Sequence, residues 1–345
     1  MTKTAIVILN YNGKKFLEQF LPAITSYSHE ASVFVVDNHS TDDSVEFVQR
    51  TYPEIEVIVL KENLGFCGGY NAALKQIQAT YYGLINSDIE VTEGWLQPIV
   101  ELLDHNPAIA AVQPKILSFK TRNKFEYAGA AGGMIDTLGF PFCRGRLFND
   151  LEEDHGQYND EVPIFWASGA CLFVRSDRFH ELGGLDEDFF AHMEEIDLCW
   201  KFHRAGHLVF YQGKSTVYHV GGGTLSASNP KKTYLNFRNG LSLLWKHERF
   251  SRLVWKFPLR IFLDWMAAFH FLYTGSAVHG KAVLIAHLSF VRRVRHEFRK
   301  RLDTARALRN FKTPNIYPGL IVMDYFVLRK RRYGELKIPD RTTLP

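Results

Sequence analysis

The strongest constraint on the fold is a fourfold alternation near the start of the chain, in which a short apolar run leads at once into a segment of helical period. TAIVIL (4–9) is followed by KKFLEQFLPAI, SVFVVD (32–37) by DDSVEFVQRTY, VIVL (57–60) by GGYNAALKQI, and YYGLIN (81–86) by WLQPIVELLD. Apolar runs bounded by turn formers read as buried strands, and strands separated by helices pair by crossover in βαβ units. The expected fold is α/β with a mainly parallel, Rossmann-like central sheet. In such sheets ligands gather at the carboxyl ends of the strands. Just there the chain has Asn10 and Asn12, then Asp37 and Asn38, Asn63, and finally Asn86 and Asp88. Each alone is an ordinary turn former or helix cap. As a row they suggest a site.

Several nucleotide chemistries are disfavoured. NLGFCGGYN (63–71) is glycine-rich and opens a helix, so it either cradles an anion on backbone N–H groups or serves close helix packing. Cys67 occupies the second glycine position of a dinucleotide fingerprint, and the first strand is followed by NYNGKKF, which is neither that fingerprint nor a Walker loop. The four cysteines, Cys67, Cys143, Cys171 and Cys199, form no CxxC and no paired spacing, so no zinc knuckle or disulfide framework is expected and a reducing cytoplasm fits. No signal peptide is expected in MTKTAIVILNYNGKK, whose apolar stretch is too short.

Three segments carry candidate chemistry. Asp88, just past a strand, offers an oxygen to a hard divalent cation, which in phosphate chemistry takes one or two protein carboxylates and completes its shell with substrate and water. His219 ends a strand-like run before a triple glycine (VYHVGGGT, 217–224), and an imidazole beside that carboxylate favours Mn²⁺ over Mg²⁺. In FFAHMEEIDLCWKFHRAGH (189–207), Glu194, Glu195 and Asp197 crowd a first helical turn, where they either complement the helix dipole or supply a general base. Glu194 and Glu195 point in different directions, so one of them faces substrate. Trp166, at the start of the buried run FWASGACLFVRS, is either a stacking surface for a sugar ring or core.

Charge divides the chain. Up to Pro230, 17 Lys and Arg stand against 30 Asp and Glu, a net −13; beyond it 24 stand against 7, a net +17. The basic part also holds the aromatic stretch 253–290 and the runs RRVRHEFRKR (292–301) and RKRR (329–332). Aromatics with clustered cations suit an anionic membrane surface. Asp264 and His270 inside the apolar stretch favour helices lying on the membrane over helices crossing it. Nucleic acid is the weaker alternative, because the aromatics and arginines are not interleaved.

The motifs NYNG (10–13), VVDNHSTDDS (35–44), NLGFCGGYNAAL (63–74), INSDIEV (85–91), SGACLFVRS (168–176), EEIDLCWKFHRAGH (194–207) and HVGGGT (219–224), in this order, resemble the family 2 glycosyltransferases, particularly their rhamnosyltransferase-like branch. The resemblance implies a GT-A fold over residues 1–240; beyond Arg238-Asn239 it supplies no motif, and the expectation of a helical membrane-associating region over 241–345 stands on composition alone. The resemblance further implies a nucleotide-diphospho-sugar donor, dTDP-rhamnose or a UDP-sugar, a divalent cation (Mn²⁺ or Mg²⁺), and inversion at the anomeric carbon. By position Asp37 is similar to the residue that contacts the nucleotide base, with Asn10, Asn63, Asn71 and Asn86 also on the donor side. Asp88 matches the last residue of the metal-binding DxD, His219 the histidine that completes the metal shell, and Glu195 the catalytic carboxylate of the ED motif. Trp166, Glu194 and Arg238 are carried as acceptor or sugar contacts. Two positions depart from the family pattern: Asn86 stands first in the DxD, and Glu195 is one methylene longer than the usual aspartate. The expected acceptor is a lipid-linked glycan in cell-surface polysaccharide synthesis, with the enzyme peripheral on the inner face of the membrane. The rival readings are a non-catalytic membrane-bound sugar-nucleotide binder or scaffold, and a nucleotidyltransferase.

Overall fold

The structure is a computed structural model that describes residues 2–221, 229–308 and 315–338. In chain order its elements are β1 (Thr2–Asn10), α1 (Lys14–Tyr27), β2 (Ser32–Asp37), α2 (Ser44–Thr51), β3 (Glu56–Val59), α3 (Gly65–Leu74), β4 (Ala79–Asn86), β5 (Ile89–Val91), α4 (Gln97–His105) and β6 (Ile109–Ser118). Short strands follow: β7 (Gly133–Asp136), β8 (Pro141–Cys143), β9 (Arg146–Leu147), β10 (Asp150–Leu151) and β11 (Glu161–Pro163). Then come β12 (Cys171–Arg175), α5 (Ser176–Glu181), α6 (Glu194–Arg204), β13 (Leu208–His219), α7 (Pro230–His247), α8 (Phe250–Tyr273), α9 (Ala277–Arg292), α10 (Val294–Ala307), β14 (Ile316–Tyr317) and α11 (Ile321–Phe326).

All four expected strands form, and they pair in parallel in the order β3-β2-β1-β4. The reason is visible in β1. Its alternate residues Ala5 and Val7 belong to one core layer, Ile6 and Ile8 to the other, as a strand covered by helices on both faces requires. Leu17, Phe20, Leu21 and Ile24 of α1, spaced three or four apart, close over the Ile6 and Ile8 side. Beyond β4 the sheet departs from the parallel expectation: β12 runs antiparallel to both β4 and β6, and β13 returns parallel to β6. An all-apolar run such as CLFV carries no mark of its direction, which the connections decide.

A second sheet, β10-β9-β8-β7-β14, is closed by a strand from near the other end of the chain. β14 pairs parallel with β7, and Tyr317, Ile321, Tyr325 and Leu336 pack there with Met134, Phe142 and Leu147. Asp136, fully enclosed and pushed up to about 6 by burial, accepts hydrogen bonds from the backbone of Leu138, Phe140 and Ile321. Between these two contributions lies the helical platform α7–α10. Arg260 of α8 fastens it to the small sheet, donating to the Leu138 and Gly139 carbonyls (3.2 and 3.3 Å) and standing 3.8 Å from the Phe140 ring centroid. Among the described residues no helix is long and apolar enough to cross a membrane.

Candidate active site

The polar strand ends meet along one edge of the main sheet. Asn10 Nδ2 donates to Asp37 Oδ1 (3.3 Å) and to Ser40 Oγ (3.2 Å), and Asp37 Oδ2 accepts from the Ser40 backbone (2.9 Å). Asn38 donates to Asn63 Oδ1 (3.1 Å) and to the Gly65 carbonyl (2.9 Å), while its own Oδ1 accepts from Leu64 (2.9 Å). These bonds lock the mouths of β1, β2 and α3 into one rim. One acceptor is left over: among the described residues Asn10 Oδ1 is buried without a hydrogen-bond partner. Asn71, expected on this rim, is committed elsewhere. Its side-chain amide donates to the Leu185 carbonyl (2.8 Å) and Glu187 (3.0 Å), and its oxygen accepts from Leu185 (3.0 Å), so it clasps α3 to the segment ahead of α6.

At the end of β4, the Asn86 backbone donates to the Ala170 carbonyl (3.0 Å), which brings the entry of β12 against the Asn86–Asp88 turn. β5 pairs His219 of β13 with Ile89, so residues 131 positions apart converge: His219 Nε2 lies 3.2 Å from Asp88 Oδ1. Its other nitrogen, Nδ1, lies 3.2 Å from Glu126 Oε2. All three side chains are nearly enclosed. Burial by itself lowers the His219 pKa, but the two carboxylates outweigh it and push the ring up to about 10. Glu126 moves the opposite way, held below its ordinary value by His219 against the effect of burial.

A divalent cation would fit this donor set by displacing the proton that Asp88 favours on Nε2 of His219. Asp88 and Nε2 of His219 share one space, and Glu126 behind Nδ1 is the carboxylate that commonly orients a ligating histidine and fixes its tautomer. Two protein donors leave the remaining positions to phosphate oxygens and water, and among the described residues there is no ready-made group of three. Glu126 is the residue the sequence reading missed. It sits in a loop, KFEYAG, and its only signal is an acid between two aromatics.

The second acidic group lies at the start of α6. Glu194 Oε1 comes 3.8 Å from where a Cβ on Gly169 would stand, at the entry of β12 and thus beside the Asn86 end of β4. Among the described residues neither Glu194 Oε2 nor Glu195 Oε2 has a hydrogen-bond partner, although both atoms are buried. Burial pushes Glu195 up to about 7, against the pull of the backbone N–H groups of Glu195, Ile196 and Met193. Glu194 is raised further, by burial and then by the charge of Glu195. A carboxyl balanced near neutrality is what proton abstraction from a hydroxyl needs.

The loop that presents these glutamates is strained and externally held. Phe190, His192 and Met193 all have positive φ (64°, 69° and 73°), a conformation that non-glycine residues avoid. Asn239 of α7, fully buried, donates its amide to the carbonyls of Phe189 (3.1 Å), Ala191 (3.1 Å) and His192 (2.7 Å). Arg238 donates to the carbonyls of Asp188 (2.9 Å) and Phe189 (3.2 Å). Its Nη2 holds the loop and its Nε donates to Asn239 Oδ1 (2.8 Å), a positioning role beside the acceptor or sugar contact that the sequence reading carried for it. Trp166 also differs from a stacking surface: it is 5% exposed, its indole N–H donates to the Met134 carbonyl (2.8 Å), and its ring covers Gly133 where a Cβ would fall 2.1 Å from it. It packs as core.

Behind the loop the acids are paired. Asp197, on the inner face of α6, meets Lys246 Nζ (2.9 Å) and His247 Nε2 (2.8 Å), and Lys246 also reaches Asp186 (2.8 Å). Asp188 pairs with Arg293 (2.8 Å), His296 (2.6 Å) and Lys300 of α10. Part of the charge division along the chain is therefore settled inside the molecule, where the basic helices grip the acidic loop.

Comparison with known proteins adds independent findings. The family model described as Glycosyl transferase family 2 matches residues 5–176. N-acetylglucosaminyl-diphospho-decaprenol L-rhamnosyltransferase of Mycobacterium tuberculosis is 26% identical over 233 residues, covering 62% of this chain and 75% of that protein. Among solved structures, a mannosyltransferase from Pyrobaculum calidifontis in complex with GDP-Man and Mn²⁺ superposes with a TM-score of 0.52 at 14% identity, covering 84% of this chain and 87% of the other. GalNAc-T7 with UDP, GalNAc and Mn²⁺ gives 0.57 at 14% identity, over 71% of this chain but only 48% of that one.

Proposed function

Because the chain belongs to glycosyl transferase family 2 and has the GT-A fold, we propose that it is an inverting, metal-dependent transferase that moves a sugar from a nucleotide-diphospho-sugar to a hydroxyl of a lipid-linked glycan. The observation that carries this reading is the opposition of two acidic groups at one sheet edge. Asp88 is paired with a histidine, while at the start of α6 Glu194 reaches Gly169 at the entry of β12 and its neighbour Glu195, with one oxygen buried and unpartnered among the described residues, is raised to about 7.

The roles follow from that opposition. Asn10 and Asp37 line the rim for the nucleotide, with Asn63 and Asn86 on the same side. Asp88 and His219 would hold Mn²⁺ or Mg²⁺, whose chemistry when bound is to neutralise charge on the departing diphosphate. Glu195 accepts the proton of the acceptor hydroxyl as its oxygen bonds to the anomeric carbon. The bond from that carbon to the diphosphate oxygen breaks on the opposite face, so the configuration inverts and the nucleoside diphosphate leaves. Glu194, more deeply buried and raised well above the ordinary carboxylate value, lines the same wall.

A dTDP-rhamnose or UDP-sugar donor is supported by the likeness to the rhamnosyltransferase-like branch, with the mycobacterial rhamnosyltransferase among the relatives. The same relative, named for a decaprenol-linked substrate, supports a lipid-linked acceptor; work at the inner face of the membrane in cell-surface polysaccharide synthesis is the setting in which such an acceptor would be met. The test is a panel of UDP-, dTDP- and GDP-sugars with Mn²⁺, read as ligand-induced thermal stabilisation and slow release of nucleoside diphosphate. Stabilisation by one donor that disappears with EDTA is the expected result. A folded protein that responds to none of them would reject the transferase reading.

A further inference from the structure

Helix α8 is amphipathic in reverse. Its buried positions, Leu253, Lys256, Arg260, Asp264 and Ala268, recur every three or four residues and so form one face, and that face carries the charges. Lys256 pairs with Glu248, Arg260 with Asp264 (2.9 Å), and Asp264 with His287 of α9 (3.2 Å). The outward face is formed by Trp255, Phe262, Trp265, Met266 and Phe269, each at least half exposed. α9 continues the pattern, turning Ala282, Val283 and Ala286 inward and Leu284, Ile285 and Leu288 outward. Most of the large apolar side chains exposed among the described residues lie on α8, α9 and α10.

In water this rotation of the helices is the unfavourable one, since it desolvates ions and hydrates aromatics. Large apolar side chains exposed along three successive helices are more than a soluble monomer ordinarily shows. It becomes favourable if the medium outside is itself apolar. The cations beside it narrow the choice: Lys281, Arg292, Arg295 and Arg299 are exposed along the same helices, and the exposed acid Asp303 is already matched by Arg306 (3.5 Å). A second copy of the chain docking on this face by two-fold symmetry would bring one cationic patch against another, with Asp303 already matched. Anionic headgroups over a hydrocarbon interior match both the charge and the aromatics.

We propose that the outward face of α8, α9 and α10 is a bilayer-docking surface, on which the helices lie in the plane of an anionic membrane with Phe262, Trp265 and Phe269 in the acyl boundary and Arg292, Arg295 and Arg299 at the phosphates. This deepens, and in that respect rests on, the peripheral location proposed above. It also accounts for Asp264, whose charge turns to the protein and never meets lipid. A neighbouring face of α10 grips Asp188 through Arg293, His296 and Lys300, so the docked helix is also one that supports the glutamate loop.

The test is cosedimentation of the full chain with vesicles of phosphatidylcholine alone or mixed with phosphatidylglycerol, with tryptophan quenching by brominated lipid as a depth gauge. Binding is expected on the anionic vesicles, with quenching. Phe262→Glu and Phe269→Glu should each weaken it about tenfold, and each Arg292, Arg295 or Arg299→Glu about fivefold on anionic vesicles only. Circular dichroism and donor-sugar hydrolysis in solution check that the variants remain folded. Failure to bind, binding indifferent to Phe262→Glu and Phe269→Glu, or a dimer in solution that those changes dissociate would each overturn the surface. If vesicle binding fails while donor hydrolysis persists, only the surface is lost; if hydrolysis is absent while binding is intact, the surface stands and the transferase reading falls.

Discussion

Glu195 and Asp197 sit two residues apart in one helical turn, the first half-buried and the second fully enclosed, and their carboxyls are driven in opposite directions. Asp197 faces α7, where Lys246 and His247 reach it, and lies well below the ordinary carboxylate range despite its burial. Glu195 has only backbone N–H groups, and among the described residues no side-chain cation, to set against its burial, and is pushed up to about 7. Burial therefore does not by itself make a carboxyl reactive; withholding a cation does. The turn divides its labour, with one acid holding the helix down and the other kept available for protons.

The sharpest way to break the contrast is to remove the paired acid. Asp197→Ala strands Lys246 and His247, and denaturant unfolding should show a loss of roughly 3–5 kcal/mol. The sign of its pH dependence is fixed by the depressed pKa. The native advantage is complete above the ordinary value of 3.8 and fades as the pH falls below it. Removing the unpaired acid should do the reverse. Glu195→Gln is expected to cost about a thousandfold in transfer with donor binding nearly intact, while raising the Tm at pH 8. The folded state then no longer buries a charge whose pKa it has lifted above 4.5. Full activity in this variant would remove Glu195 from the chemistry.

A third buried acid sharpens the comparison, because Glu126 is paired to a group that itself has work to do. Glu126→Gln should weaken Mn²⁺ binding by about 10–100-fold in titration calorimetry, and in EDTA it should also lower stability, because the buried His219 loses one of its two carboxylates. The mildest probe is pH alone. With Glu195 acting as a base near 7, kcat/KM should rise about tenfold per unit below that point and level off above it. A flat profile across it would mean that another group takes the proton.

Local signals in the chain carried most of this arrangement. The alternation of apolar runs and helices predicts β1 to β4 in place, and the polar row at their ends marks the rim that Asn10, Asp37 and Asn38 form. Asp88 and His219 also meet, although neither alone was distinctive. What escaped was every role set by a distant partner. Asn71 reads as a donor ligand until Leu185 and Glu187 arrive at its amide. Asp197 looks like its acidic neighbours until Lys246 and His247, about fifty positions on, claim it. The basic tail was read for an external surface, whereas Arg293, His296 and Lys300 turn inward to Asp188. Periodicity reports which face of an element is buried; it says nothing of what lies opposite.

The pairing of β14 with β7 has a consequence for synthesis of the protein. Asp136 waits for Ile321, and Thr137 for Tyr317, across a separation of about 180 residues. On a ribosome the small sheet stays unfinished until α7 to α10 have emerged and folded back, so the platform is enclosed between the two halves of a unit that only its own passage can complete. Such distant closure is slow, and it leaves the edge of β7 open to foreign strands in the interval. A nascent chain halted within α10 would therefore be a strand acceptor in search of a partner.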